Sequence, residues 1–124
     1  MRGRRLWLTV STHGGKIPVY VVKGDLYAAD GETEIEAHYD RAKPEIVVLQ
    51  MGNIAMMKQN LHHELLHVCF GGVSGDVREG IFKATTARAL EVREEDLVCF
   101  LEPVQFDLLV RNGWLRYPNP PRVK

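Results

Sequence analysis

The pattern of hydrophobic and polar residues changes near residue 53, from a period of about two to a period of three to four. Three segments before that point have strand-like patterns: residues 16–23, 34–39 and 45–50. The first is rich in β-branched residues, the second alternates polar and apolar residues, and the third is an apolar run typical of a buried strand. Pro18 favours an edge position for the first strand, because proline cannot donate to a neighbouring strand. Turn residues at 24–25 and 30–31 separate these pieces.

A helix is predicted directly after the third strand. Asn53 can cap its N-terminus, residues 54–69 contain no Pro or Gly, and Gly71-Gly72 can end it. Residues spaced three and four apart give it one apolar face: Ile54, Met57, Leu61, Leu65 and Val68. Lys58, Gln59 and His62 form a polar arc. We expect the apolar face to pack on the core and His62 to be solvated or hydrogen-bonded, as most helical histidines are.

A further helix is predicted from residue 91 to about residue 111, and a less clear helical pattern precedes it within residues 79–92. The helix predicted from residue 91 has one expected apolar face: Leu97, Val98, Leu101, Val104, Leu108 and Leu109. The order of the elements predicts an α+β fold, in which a small, mainly antiparallel sheet packs on the first helix and a second helix lies beside it. Trp7 and Trp114 are expected to fill the core near the two ends.

Length and charge indicate one small domain over residues 1–124, with flexible ends at 1–5 and 117–124. Sixteen basic and sixteen acidic residues cancel, which argues against a nucleic-acid or membrane-surface partner and ranks a metal-dependent nuclease low. No apolar run approaches the roughly twenty residues of a membrane span, and the basic start lacks a signal-peptide core. We therefore expect a cytoplasmic protein. The oligomeric state is not defined by these features.

The first predicted helix carries the sequence His63-Glu64-Leu65-Leu66-His67, an H-E-x-x-H motif. Residues four apart on a helix differ by about 40° and roughly 6 Å, so both imidazoles can reach one metal ion. The carboxylate of Glu64 lies beside them, where it can act as a general base for a metal-activated water. The motif therefore predicts a zinc ion bound by His63 and His67, with Glu64 as the catalytic residue.

A catalytic zinc usually has a third protein ligand. The acidic segment at residues 91–96 supplies candidates, and Glu94 falls on the middle of the apolar face, where a carboxylate is unfavourable unless a cation or a metal meets it. We expect Glu94 to be the third ligand, with Glu95 in reserve on the flank. Glu91, Glu102 and Asp76 follow as further candidates.

Strands, a helix with H-E-L-L-H and a later helix with Glu-Glu-x-x-Val together resemble small gluzincin-type zinc metallopeptidases, most closely the ImmA/IrrE-like group. The resemblance covers roughly residues 17 to 112 and implies that His63, His67 and Glu94 bind zinc while Glu64 acts as the base. It also implies that an edge strand aligns an extended peptide above the metal. In this comparison, the 124 residues show no obvious DNA-binding or regulatory appendage, so the resemblance does not imply a physiological target.

Two alternatives concern the metal and the thiols. The motif can instead belong to a zinc-stabilised module that binds a protein without cutting it, in which case a fourth protein ligand such as His62 or a cysteine closes the site. Cys69 and Cys99 are expected to be free, buried thiols, although they could meet as a disulfide. Both are poor zinc-ligand candidates, because Cys69 lies near the polar arc of His62 and away from His63 and His67, and Cys99 lies off the face that carries Glu94.

Overall fold

The computed structural model describes residues 3–12, 14–28, 30–71, 80, 83 and 86–124. Within them the chain forms four strands and two helices in the order β1 (Arg4–Thr12), β2 (Gly15–Val22), β3 (Ala37–Asp40), β4 (Glu45–Leu49), α1 (Ile54–Gly71) and α2 (Ala87–Arg111). The expected α+β class is confirmed. No helix in the described part of the chain is both long and apolar enough to cross a membrane.

The four strands form one sheet in the order β1-β2-β4-β3. The outer pairings, β1 with β2 and β3 with β4, are antiparallel, whereas the central pairing of β2 with β4 is parallel. The sheet is therefore mixed, and the mainly antiparallel sheet that the sequence predicts is not confirmed. The parallel pair arises because the chain between β2 and β4 returns through the loop and β3 before β4 begins.

β1 is absent from the sequence-based expectation, which places Arg4 and Arg5 in a flexible end. These residues pair with the last residues of β2, opposite Val22 and Val21. A bulge at Trp7 turns this side chain into the core, where its ring is buried as expected. The alternation of Leu6, Leu8 and Val10 is a strand signal that the sequence analysis did not use.

Pro18 lies in an interior strand, so the prediction of an edge position for β2 is wrong. It is opposite Thr9 of β1, while pairing with β4 begins one residue later at Val19. The missing N–H of proline therefore costs the β4 side no ladder hydrogen bond. The two edges of the sheet are β1 and β3, and β3 begins at Ala37, three residues later than predicted.

One face of the sheet packs against α1 to form the core. Alternate residues of β2 and β4 point into it together with two helix residues: Ile17, Val19, Val21, Ile46, Val48, Met57 and Leu61. The backbone N–H of Met56 donates to Oδ1 of Asn53 at 3.1 Å, which confirms the predicted helix cap. Leu65 and Val68 pack at the margin of this core, whereas Ile54 is exposed, contrary to the predicted face.

The second helix packs on α1 through residues spaced four apart: Leu90, Glu94, Val98 and Glu102. Half of this buried stripe is acidic. Glu94 and Val98 lie on the predicted face, whereas the apolar pattern gives no signal for the buried Glu102. Val104 and Leu108 of the predicted face are exposed instead. Trp114, expected in the core, is also exposed, and it lies just beyond the end of α2 at Arg111.

The last residues form an extended segment along the sheet. The indole N–H of Trp7 donates to the carbonyl of Pro118 at 2.9 Å. The backbone N–H of Val123 donates to Oε1 of Gln50 at 2.6 Å, and Nε2 of Gln50 donates back to the Val123 carbonyl at 3.2 Å. The side chain of Val123 joins the core. Residues 117–124, expected to be a flexible end, thus make specific contacts.

Candidate metal centre

The H-E-x-x-H residues lie on the part of α1 that faces both β3 and α2. The rings of His63 and His67 are one turn apart, with centroids at 5.2 Å and an edge-on orientation. Glu64 is buried beside them, with 9% of its surface exposed. The helix therefore places two imidazoles and one carboxylate together, as the motif predicts.

Glu95 is the α2 residue that joins the two imidazoles. Its Oε1 lies 3.0 Å from Nε2 of His63, and its Oε2 lies 2.6 Å from Nε2 of His67. The carboxylate is about half exposed, so it lies at the mouth of the site and not beneath it. The reserve candidate of the sequence analysis is thus the carboxylate nearest the Nε2 atoms of both motif histidines.

Glu94 contacts the opposite edge of the His67 ring. Its Oε2 lies 2.6 Å from Nδ1 of His67 and accepts a hydrogen bond from Nη2 of Arg41 at the same distance. Only 2% of its surface is exposed. The unfavourable burial that suggested a metal ligand is offset by a guanidinium and an imidazole. In this geometry Glu94 orients the His67 ring through Nδ1, on the side opposite the contact with Glu95.

The ionisation of these groups follows from their contacts. Hydrogen bonding with Glu95 raises the pKa of His63. Burial lowers the pKa of His67, but the hydrogen bonds with Glu94 and Glu95 outweigh it and raise that pKa to about 9. The same bonds with His63 and His67 hold the pKa of Glu95 well below its usual range. Burial raises the pKa of Glu64, which brings this carboxylate closer to the value suited to a general base near neutral pH.

Cys99 extends the cluster by one helical turn from Glu95. Its thiol donates to Oε1 of Glu95 at 3.3 Å, and ligand atoms of His63, Glu95 and Cys99 all lie within 4.8 Å of one another. Partial desolvation of the thiol and its hydrogen bond with Glu95 raise its pKa to about 11. Cys99 thus lies on the side of α2 that carries Glu95, and this position makes it a better ligand candidate than the sequence analysis expects. Both Cys69 and Cys99 are free, as expected, but both are exposed and not buried.

The other candidate ligands have different partners. His62 is buried, and its two ring nitrogens contact Tyr117 Oη at 2.8 Å and Gln105 Oε1 at 3.0 Å. This confirms its expected structural role and leaves neither nitrogen for a metal. Glu102 accepts a hydrogen bond from Gln59 at 3.1 Å, and Glu91 lines the neighbouring cavity. Asp76 lies outside the described residues.

Two cavities flank the motif carboxylate. One, of about 400 Å³, extends past Arg41 and Glu91, and the other, of about 550 Å³, extends past Asn60. His38, Glu64 and Glu95 line both, so the two cavities meet at the cluster. The sequence analysis missed His38 and Arg41. The alternation of the segment that became β3 gave the only signal for His38, which it places on one face of the strand with Asp40. Arg41 follows the end of β3 and lies outside this alternation.

The donor set fits a zinc ion in its chemistry. Imidazole nitrogens and a carboxylate oxygen are preferred zinc ligands, and bonds of about 2.0–2.1 Å in a tetrahedral site place neighbouring donors about 3.3 Å apart. The contacts of Glu95 with His63 and His67, at 3.0 and 2.6 Å, are about 0.3 and 0.7 Å shorter than this. The ligand atoms that lie within 4.8 Å of one another belong to His63, Glu95 and Cys99. Glu94 at Nδ1 of His67 matches the carboxylate that commonly supports a zinc-binding histidine.

Comparison of the chain with protein-family models, with curated proteins and with solved structures gives no match.

Proposed function

We propose that the protein is a zinc-dependent peptidase of the gluzincin type, similar to the ImmA/IrrE-like group, in which His63, His67 and Glu95 hold the metal and Glu64 is the general base. One observation carries the proposal: the Nε2 atoms of both motif histidines face the two oxygens of one carboxylate from the other helix, next to a buried glutamate. Two histidines and a glutamate around an open position form a common catalytic zinc set.

Glu95 replaces Glu94 as the proposed third ligand for two reasons. A histidine that binds zinc through Nε2 needs a partner at Nδ1, and Glu94 occupies that position on His67. Glu94 also forms an ion pair with Arg41, which holds it away from the Nε2 side. The two carboxylates therefore take complementary roles, one toward the metal and one toward the ring that binds it.

When bound, zinc would polarise the scissile carbonyl and lower the pKa of the attacking water. Glu64 takes a proton from that water and gives it to the leaving amine, a task for which its burial beside the two imidazoles suits it. Glu94 fixes the orientation of His67, and Arg41 fixes Glu94. The chain thus supplies the base, the ligands and the residues that position them.

The substrate site in this proposal is the outer edge of β3. This strand pairs with β4 along one edge, and within the described residues no strand pairs with its other edge. An extended peptide can add to such an edge through main-chain hydrogen bonds, with alternate side chains entering pockets. The two cavities that meet at Glu64 lie beside β3 and can receive side chains on either side of the scissile bond.

Elemental analysis of the purified protein tests the metal site. We expect about one zinc per chain in the wild type and almost none in His63→Ala. The matched control is His38→Ala, which removes an imidazole from the same cleft but no proposed ligand and is expected to retain the metal. Equal zinc content in all three proteins would contradict the proposed site.

A second candidate is a zinc-stabilised module that binds a protein without cleaving it. The position of Cys99 within the cluster favours this alternative, because a fourth protein ligand is typical of structural zinc sites. Hydrolysis distinguishes the two. The proposed peptidase should cleave a mixed peptide library in a reaction that requires Glu64, and a binding module should bind peptides without producing fragments.

A further inference from the structure

The thiol of Cys99 lies where a ligand could complete the proposed site. Its Sγ is 3.3 Å from Oε1 of Glu95, the same oxygen that lies 3.0 Å from Nε2 of His63. The three ligand atoms lie within 4.8 Å of one another, and the other carboxylate oxygen of Glu95 lies 2.6 Å from Nε2 of His67. Cys69, the other exposed thiol, is not part of this group among the described residues.

The two helices present their donors in a matching way. His63 and His67 are four residues apart on α1, and Glu95 and Cys99 are four residues apart on α2. Residues at this spacing lie on one face of a helix, so each helix contributes two neighbouring donors to the same interface. Contacts between Glu95 and both histidines show that these two faces meet.

We infer that Cys99 is the fourth zinc ligand, so that the site rests in a closed form held by His63, His67, Glu95 and Cys99. This inference rests on the zinc site of the proposed function and adds its regulation. The thiol loses its proton to solvent on coordination, as coordinating thiols do. One carboxylate and one thiolate then balance the charge of the divalent ion, and no position is left for a hydrolytic water.

The exposed position of Cys99 would allow the closed site to open. A ligand at the mouth of the cleft can be displaced without disturbing the core, whereas the buried Glu94 cannot. A substrate or partner that moves Cys99 aside would open the fourth position next to Glu64. The protein would then hydrolyse peptides slowly in the resting form and faster when Cys99 is removed.

X-ray absorption at the zinc edge of the full-length protein tests the inference directly. We expect one sulfur neighbour at about 2.3 Å in the wild type, and only nitrogen and oxygen neighbours at about 2.0–2.1 Å in Cys99→Ser. Cys69→Ser, which also removes an exposed thiol, should retain the sulfur shell. In competition with a chromophoric chelator, Cys99→Ser should bind zinc at least about tenfold more weakly than Cys69→Ser.

The possible outcomes separate this inference from the proposed function. Zinc bound to the wild type with nitrogen and oxygen neighbours alone would overturn the role of Cys99 and leave the open catalytic site standing. A sulfur shell that persists in Cys99→Ser would overturn it as well. A wild-type protein that binds no zinc would refute both. Circular dichroism of Cys99→Ser and Cys99→Ala verifies that loss of the sulfur shell does not follow from unfolding.

Discussion

Two neighbouring carboxylates, Glu94 and Glu95, contact opposite edges of one imidazole ring. Glu94 is buried and paired with Arg41, while Glu95 is half exposed and lies between two Nε2 atoms. Residues that are adjacent in sequence point about 100° apart on a helix, so a small rotation decides which of them faces the metal. Single substitutions can therefore separate their roles.

We expect Glu95→Gln to weaken zinc binding at least about tenfold more than Glu94→Gln, because it removes a ligand and not the support of one. Glu94→Gln should instead lower the free energy of unfolding of the chelator-treated protein by about 1–3 kcal/mol, since Arg41 loses a buried charged partner. Glu95→Gln should change that free energy by less than about 1 kcal/mol. Chelator competition and urea unfolding measure the two effects. The opposite pattern would return the ligand role to Glu94.

Glu64 is predicted to act on protons and not on the metal. Glu64→Gln should keep the zinc content and the fold of the wild type while reducing cleavage of a peptide library by more than about a hundredfold. Mass spectrometry of the fragments gives the rate, and elemental analysis gives the zinc content. A Glu64→Gln protein that cleaves at the wild-type rate, or that loses its zinc, would be incompatible with the assigned role.

At the scale of elements, α2 packs through an unusual stripe that alternates apolar and acidic residues. Val98 is fully buried in this stripe, and Val104 on the same helix is 68% exposed. Val98→Ala should therefore destabilise the protein by about 1–3 kcal/mol through the cavity it leaves, whereas Val104→Ala should change stability by no more than about 0.5 kcal/mol. Urea denaturation of both variants provides the comparison. Equal effects would mean that the helix is rotated from the orientation described.

The elements that follow simple periodicity could be predicted from the sequence, and those shaped by tertiary contacts could not. The cap at Asn53 and the apolar spacing of Met57 and Leu61 define α1. The edge position predicted for Pro18 is wrong because an interior strand can contain proline where no hydrogen bond to the next strand is needed. Pairing with β4 begins only at Val19, and this register is a property of the assembled sheet. The predicted contact face of α2 correctly included Glu94 and Val98, but it extended to the exposed Val104 and Leu108 and left out the buried Glu102.

The candidate site was predictable to the same extent. The spacing of His63, Glu64 and His67 on one helix defines half of the cluster without any knowledge of the fold. The other half depends on the rotation of α2 about its axis, which selects Glu95 and Cys99 for the mouth of the site. Sequence periodicity determines such a rotation poorly when the buried face of a helix contains charged residues.

At the scale of the whole molecule, protonation of His67 and zinc binding should make stability depend on pH in opposite directions. The pKa of His67 is raised to about 9 from an ordinary value near 6.5. In the chelator-treated protein the resulting stabilisation is fully present below about pH 6.5 and is lost as the pH rises through about 9. We expect a decrease on the order of 2 kcal/mol in the free energy of unfolding over this window. His67→Gln should show a much smaller decrease.

Zinc should reverse this dependence, because only neutral imidazoles bind the metal. The increase in melting temperature on adding zinc should therefore grow from pH 6.5 to pH 9 and vanish in His67→Gln. Thermal unfolding with and without zinc across this range measures the effect. A zinc-induced increase that does not change with pH would contradict the participation of His67.

The contacts of the C-terminal segment have a consequence for the time course of folding. The hydrogen bonds from Trp7 to Pro118 and between Gln50 and Val123 join residues 111 and 73 positions apart in the sequence. Distant contacts of this kind raise the contact order of a protein and slow its folding. During synthesis, the β1–β2 hairpin and α1 can form early, but Val123 reaches the core only after it has left the ribosome. Until then, the part of the core that Val123 covers is exposed to solvent in the nascent chain.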